Sequence, residues 1–200
     1  MTKKTVLLFQ GDSITDCNRN LFMPLGDGYV SKVADAFPNV SVLNKGISGN
    51  RVIDLKNRWV DDTLALHPDI LCILVGVNEV WHNLCYDKPY TDAQYEHDLK
   101  WIIAQTKAQN PNLKLIMMEP FLLEVGVVTS DWIEPLERLR KIFRSVALVQ
   151  ADAFIPLQDI FNQASRKYKP KELLPDGVHP SDLGHQFTAL ALVDILPSLL

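Results

Sequence analysis

The sequence predicts a three-layer α/β/α fold built on a five-stranded parallel sheet. Two observations support this prediction: short apolar runs alternate with segments of helical spacing, and several of those runs stop abruptly at glycine and polar residues. Alternating strands and helices favour a doubly wound sheet with right-handed crossovers. The polar loops after such strands lie at the carboxyl edge of the sheet, where open α/β folds place their chemistry.

Five apolar runs are predicted to be the strands of this sheet. The first and third are the clearest, because nearly all of their residues are aliphatic or aromatic, as in strands that are covered on both faces. Each of these two runs is closed by a glycine and a polar loop. The predicted strands span residues 6–10, 40–43, 70–75, 113–118 and 148–151.

The segments between the runs have apolar residues three and four positions apart, which predicts helices. Thr91 is expected to cap the longest helix and Pro111 to end it, and Pro180 suits the start of the last helix. Residues 16–27 show no clear period and are predicted to form a loop, a flap over the site. The predicted helices span residues 28–37, 51–66, 91–109, 132–146, 154–168 and 181–196.

Length and composition predict one globular domain over residues 1–200. The chain is 47% hydrophobic and 22% charged, and its 200 residues are enough to bury a core without disulfides or metal. The net charge is −4 and the basic residues are dispersed, which argues against a nucleic-acid partner. The apolar run near the N-terminus is too short for a signal peptide or a membrane span, so we expect a cytoplasmic protein.

The cysteines and histidines predict neither a disulfide framework nor a metal site. Cys17, Cys72 and Cys85 form no C-x-x-C pair and are expected to be free thiols in a reducing compartment. The histidines have no metal-ligand spacing, and Asp182 with His185 is predicted to lie on the polar surface of the last helix. We therefore expect no metal and no cofactor.

Ser13 is the predicted nucleophile. It follows the first strand after a glycine, at a position that a substrate can reach, although the same residue could simply cap a helix that starts near Thr15. A serine hydroxyl needs an imidazole to take its proton and a carboxylate to orient that imidazole. Asp176 and His179, just before the last helix, are candidates for these groups. On their own they would indicate only a turn beside a surface histidine.

A carbonyl attacked by a serine also needs hydrogen-bond donors for the negative charge on its oxygen. The backbone N–H groups of Ser13 and Gly46 and the side-chain amide of Asn78 are the predicted donors, because their loops follow the first three strands. Parallel strands bring these loops to the same edge of the sheet as the loop before the last helix.

Four blocks of the sequence resemble those of the GDSL/SGNH hydrolase family. They occur in the family's order across the whole chain: GDSIT at 11–15, KGISG at 45–49, GVNE at 76–79 and DGVHP at 176–180. The third block usually reads Gly-x-Asn-Asp, so Glu79 departs from the pattern by one methylene. Such a change would reposition the loop of Asn78 without removing its amide.

This resemblance implies a flavodoxin-like three-layer fold and a serine hydrolase that forms an acyl-enzyme. It implies that Ser13 is the nucleophile, that Gly46 and Asn78 complete the oxyanion hole, and that Asp176 and His179 complete the triad.

Other residues resemble bacterial intracellular acetylxylan esterases, notably residues 44–50, 54–56, 58–59 and 80–81. The resemblance implies an esterase that removes small acyl groups, acetyl above all, from carbohydrates such as xylo-oligosaccharides. Candidate residues of the substrate pocket are Trp81, His82 and Asp12, although Asp12 is expected mainly to order its loop through hydrogen bonds to backbone N–H groups.

Two alternatives remain open at this point. A thioesterase or lysophospholipase would share the framework but would need a long apolar groove. A non-catalytic sugar-binding protein would be expected to have lost Ser13, Asn78 or His179, all of which are present. The sequence leaves self-association into a homo-oligomer open.

Overall fold

A five-stranded parallel sheet forms the centre of the molecule. The computed structural model describes residues 4–86 and 88–200, and the strand order is β2-β1-β3-β4-β5. This is the doubly wound order in which the chain reverses direction across the sheet between β1 and β3. The strands are β1 Val6–Gly11, β2 Ser41–Asn44, β3 Ile70–Leu74, β4 Lys114–Met118 and β5 Ala153–Ile155.

Helices form a layer on each face of the sheet, so the predicted α/β/α fold class is confirmed. The helices are α1 Ser13–Asp16, α2 Tyr29–Ala36, α3 Val52–Asn57, α4 Trp59–Asp62, α5 Val77–Tyr86, α6 Asp92–Gln109, α7 Ile133–Gln150, α8 Leu157–Ala164, α9 Pro170–Leu173 and α10 Asp182–Ile195, with short 3-10 turns at Leu64–Leu66, Ser130–Trp132 and Leu196–Ser198. Helix α10 packs against α2, α8 and α9, whereas α6 packs against α3 and α7.

Burial on both faces explains the aliphatic strands. All five residues of β3 are buried, which matches the continuous apolar run in the sequence.

Trp59 on α4 is fully buried, and its indole N–H donates to Thr106 Oγ1 at 3.0 Å. The cap predicted for the longest helix is present, since Thr91 Oγ1 accepts from the N–H of Gln94 at 3.2 Å.

The prediction of a fifth strand at residues 148–151 is wrong. Helix α7 continues to Gln150, and β5 begins only at Ala153, which pairs with Ile116 of β4. Leu148 and Val149 are 88% and 78% exposed, so this apolar run lies on the solvent side of a helix end. The helix predicted over 154–168 accordingly shortens to α8.

Two other segments differ from their predictions because long-range contacts shape them. The helix predicted over 51–66 is broken at Arg58, whose guanidinium donates to Asn50 Oδ1 at 2.8 Å and to Asp62 Oδ2 at 3.1 Å. The polar stretch after β3 is not only a loop, since α5 starts directly at Val77.

In the part of the chain that the structure describes, no helix is long and apolar enough to cross a membrane.

Candidate active site

Ser13, His179 and Asp176 form one continuous hydrogen-bonded chain. Ser13 is the first residue of α1 and is separated from the end of β1 only by Asp12. Its Oγ lies 2.8 Å from His179 Nε2, across 166 positions of sequence, and His179 Nδ1 lies 2.6 Å from Asp176 Oδ2. The structure therefore brings together the three side chains that a serine hydrolase requires.

Asp176 is held in the ionised form that this arrangement needs. Its Oδ1 accepts from the backbone N–H groups of Val178 and His179, at 2.9 and 2.7 Å. Burial by itself would raise the pKa of the carboxyl, but the hydrogen bonds from the His179 side chain and from these two N–H groups outweigh burial and lower it. An ionised Asp176 accepts a hydrogen bond from the Nδ1–H of His179, which leaves Nε2 without a hydrogen and able to take the proton of Ser13.

Replacing Asp176 by asparagine should lower kcat for p-nitrophenyl acetate by about 10²–10⁴-fold, because the imidazole loses its partner charge and its preferred tautomer. The fold should survive, since the substitution keeps the size of the side chain. The measurement is kcat together with the thermal midpoint. A fully folded variant with wild-type kcat would contradict the role of this carboxylate.

Backbone hydrogen bonds from the loop after β4 hold Asp176 in place. The N–H of Val127 donates to the carbonyl of Asp176, and the N–H of Leu123 donates to that of Gly177, both at 2.9 Å. Gly126 and Gly177 have φ values of +68° and +95°. A Cβ at Gly126 would lie 2.5 Å from the backbone of Asp176, and a Cβ at Gly177 would lie 2.3 Å from the carbonyl oxygen of Val125. The two segments can therefore approach this closely only because both positions are glycine. Sequence reasoning missed this contact.

Asn78 lines the same cavity as the predicted nucleophile. It is the second residue of α5, is 5% exposed, and lines the same cavity as Ser13 and His179. Its Nδ2 donates to the carbonyl of Asn50 at 3.1 Å. Because an amide nitrogen carries two hydrogens, the second can serve a negatively charged oxygen in the cavity.

The predicted donor Gly46 lies outside the cavity that contains Ser13, whereas Gly49 lines that cavity. The N–H of Gly46 donates to Asn44 Oδ1 at 2.9 Å within its own turn, and a Cβ at Gly46 would lie 2.3 Å from the backbone nitrogen of Asp16. Gly49, with φ of +80°, lines the cavity that contains Ser13, whereas Gly46 does not. Gly46 thus allows close packing of two loops, and its N–H is already engaged.

Two cavities open on either side of Ser13 and His179. The first has a volume of about 290 Å³ and the second about 350 Å³, and they share Ser13, Ser48 and His179. The first is also lined by Gly49, Asn78, Trp81, His82 and Tyr86, and the second by Ile14, Cys17, Asn18, Pro180 and His185.

Aromatic side chains of α5 form one wall of the first cavity. The Trp81 ring lies 5.8 Å from that of His179 and 5.3 Å from that of Trp132, between centroids. His82 and Tyr86, one turn apart, have centroids 5.4 Å apart. Burial, followed by the charges of Arg51 and Lys88, lowers the pKa of His82, so this ring is neutral at neutral pH. Trp81 and His82 therefore both line the cavity that contains Ser13.

Asp12 orders the nucleophile loop and does not line either of these two cavities. It is 1% exposed, and its Oδ1 caps α1 by accepting from the N–H of Ile14 at 3.0 Å. Burial raises the pKa of Asp12 to about 7 despite this hydrogen bond. This geometry matches the expected role of Asp12 in ordering its loop. It does not match the candidate position of Asp12 in the substrate pocket.

The prediction that His185 lies on a polar helix surface is wrong. His185 is 5% exposed because α10 packs against α2, where its Nδ1 accepts from the N–H of Tyr29 at 3.2 Å and its Nε2 lies 3.1 Å from Cys17 Sγ. Burial lowers the pKa of His185 to about 4. Asp182 does lie on the surface, with an ion pair to Lys32 at 2.6 Å.

Comparison with known proteins places this site in a family. The model of the GDSL-like lipase/acylhydrolase family matches residues 9–187. The chain belongs to this family. The GDSL hydrolase is 36% identical to an acetylxylan esterase of Geobacillus stearothermophilus, over 94% of this chain and 91% of that protein. Membership makes it a carboxylic ester hydrolase.

Within residues 4–86 and 88–200, the structure holds no group of three or more His, Cys, Asp or Glu side chains suited to a metal ion.

Solved structures share the whole fold of this GDSL hydrolase. A GDSL-like lipase of Parabacteroides merdae has a TM-score of 0.91 and 34% identity, with coverage of 100% of this chain and 98% of that one. A catalytic mutant of Axe2, the acetylxylan esterase of Geobacillus stearothermophilus, has a TM-score of 0.85 and 32% identity, with coverage of 97% and 95%.

Proposed function

We propose that this GDSL hydrolase removes acetyl and other small acyl groups from carbohydrate esters such as xylo-oligosaccharides, through an acyl-enzyme on Ser13. The observation that supports it best is the unbroken hydrogen-bonded chain from Ser13 Oγ through His179 to Asp176, beside a cavity with an aromatic wall. The curated relative is an acetylxylan esterase, which favours acetylated sugars as substrates.

The first step forms the acyl-enzyme. Ser13 Oγ attacks the carbonyl carbon of the ester while His179 Nε2 takes the hydroxyl proton, and Asp176 stabilises the resulting imidazolium. The carbonyl oxygen becomes negatively charged and accepts hydrogen bonds from the N–H groups of Ser13 and Gly49 and from Asn78 Nδ2. The imidazolium then gives its proton to the departing sugar oxygen as the carbon–oxygen bond breaks.

The second step releases the acid. A water molecule gives a proton to His179 Nε2 and attacks the acyl carbon, so that a second tetrahedral intermediate forms against the same donors. Its collapse returns the proton to Ser13 Oγ and frees the carboxylic acid.

The size and lining of the cavities favour a small acyl group and a polar alcohol. The first cavity, of about 290 Å³, combines aromatic rings with the polar atoms of Ser48, Asn78 and His82. Flat rings with adjacent polar groups suit a sugar, whose faces are apolar and whose rim is polar. A lysophospholipid or a long-chain thioester would need an extended apolar groove in place of this short, mixed lining.

A series of p-nitrophenyl esters from acetyl to octanoyl tests the acyl preference. We expect kcat/KM to be highest for acetyl and to fall by about tenfold or more by octanoyl, because each methylene beyond the pocket must be accommodated elsewhere. Release of acetate from acetylated xylo-oligosaccharides should follow, with Ser13→Ala as the background. Preference for octanoyl would favour the lipid or thioester alternative, and binding of the sugars without turnover would favour a sugar-binding protein.

A further inference from the structure

Glu79 is a buried acid that the proposed reaction does not use. It follows Asn78 in α5, is 1% exposed, and its Oε1 accepts from the backbone N–H of Val52 at 2.7 Å. Its Oε2 is also buried and has no hydrogen-bond partner among the described residues. Burying a carboxyl group is unfavourable when one of its oxygens has no hydrogen-bond partner. The position of Glu79 is therefore expected to serve a function.

The bond to Val52 joins two segments that line the first cavity. Asn78 Nδ2 donates to the carbonyl of Asn50, and one residue later Glu79 accepts from Val52. Two consecutive side chains of α5 therefore hold the chain directly after Gly49. Since Gly49 and Asn78 line the same cavity from these two segments, their separation depends on this pair of hydrogen bonds.

We propose that Glu79 is a positioning residue for ester hydrolysis, whose carboxyl holds the segment of Gly49 against the start of α5 so that the donors for the oxyanion keep a fixed separation. This inference rests on the proposed function. Glu79 Oε1 makes the hydrogen bond to Val52 that joins the two segments. Glutamate is one methylene longer than aspartate, and this length lets the side chain span the distance between them.

Burial keeps Glu79 neutral at neutral pH. Burial raises the pKa of Glu79 to about 8, and the charge of Asp12 acts in the same direction, whereas the Val52 hydrogen bond and Arg51 oppose it. The charged form of Glu79 would in turn raise the pKa of two nearby tyrosines, Tyr90 just before α6 and Tyr95 within it. At neutral pH the residue is thus a protonated acid, for which glutamine is a close replacement in size and in its carbonyl acceptor.

Three variants test the inference from both ends of the hydrogen bond. Glu79→Ala removes the acceptor, Val52→Pro removes the donor, and Glu79→Gln keeps an acceptor of the same length. Val52 is the first residue of α3 and follows an extended Arg51, where the backbone accepts proline. Its side chain is buried, so kcat is compared for the folded fraction of the variant. The readouts are kcat and KM for p-nitrophenyl acetate, with the thermal midpoint of each variant.

We expect Glu79→Ala and Val52→Pro each to lower kcat by about 10–100-fold, with KM within about threefold, because donors that act on the transition state are displaced. Glu79→Gln should retain kcat within about threefold. The double variant should lose no more than either single change, since both remove the same hydrogen bond. A purely structural role would instead lower the thermal midpoint and leave kcat of the folded fraction unchanged.

Several results would overturn the inference. Wild-type kcat in folded Glu79→Ala would do so, and so would a loss in Glu79→Gln as large as that in Glu79→Ala. If Glu79→Ala does not fold, Val52→Pro decides, and wild-type kcat in that variant overturns the inference. Failure of the proposed function is distinguishable, because it would appear as an inactive wild type or an active Ser13→Ala, whatever the Glu79 variants do.

Discussion

Ser13→Ala is expected to lower kcat for p-nitrophenyl acetate by on the order of 10⁴–10⁶-fold, because no other group replaces the attacking oxygen. The thermal midpoint should stay close to that of the wild type, since the change removes one half-buried oxygen atom. An active-site phosphonate provides a second measurement: it should label the wild type at Ser13, as peptide mapping by mass spectrometry would detect, and should not label the variant.

Ser48 provides the matched control for this experiment. It lines both cavities beside Ser13, but its Oγ donates to Asp16 Oδ2 at 2.8 Å instead of to a histidine. Ser48→Ala should therefore keep kcat within about tenfold and should still be labelled. Label on Ser48, or turnover by folded Ser13→Ala near the wild-type rate, would remove Ser13 from the mechanism.

His179→Ala should produce a loss of similar size, on the order of 10⁴–10⁶-fold in kcat, because Ser13 then has no base and the departing alcohol has no acid. The side chain of His179 is 41% exposed, so the free energy of unfolding should change little. Residues that act as a unit are not additive, and the double variant with Ser13→Ala should be no slower than either single variant.

His185, six positions after His179, also lines a cavity with Ser13, and His185→Gln tests whether it acts as the base. This variant should be less stable, because a buried hydrogen bond to Tyr29 is disturbed, while kcat of the folded protein should stay within about tenfold. The measurement is kcat normalised to the folded fraction by circular dichroism. A loss equal to that of His179→Ala in folded protein would assign the base to His185.

The fold was predictable where local sequence determines local structure. The aliphatic run of β3 and the capped periodicity of α6 depend on residues that are adjacent in the chain, and both elements occur as predicted. The end of α7 was not predictable in the same way, because Leu148 and Val149 also suit a strand and only the packing of the helix exposes them. The break at Arg58 depends on distant partners.

The residues of the site also differ in how far local sequence determines their position. Asp176 and His179 are close together in sequence, and Ser13 follows a clear strand, so these residues were predictable. The choice between Gly46 and Gly49 depends on which N–H is already engaged. Asn44, two residues before Gly46, was a usable signal, because asparagine often accepts from the N–H two positions later. The burial of His185 depends on helix packing that periodicity alone did not specify.

The contact between the loop after β4 and Asp176 has a consequence for how this chain tolerates variation. Gly126 carries no side chain and is 50 positions from the acid, yet any larger residue there would push against the backbone that holds the carboxylate. Saturation mutagenesis should therefore find inactivating changes at this glycine among permissive neighbours, so a map of essential positions would extend well beyond the groups that touch an ester.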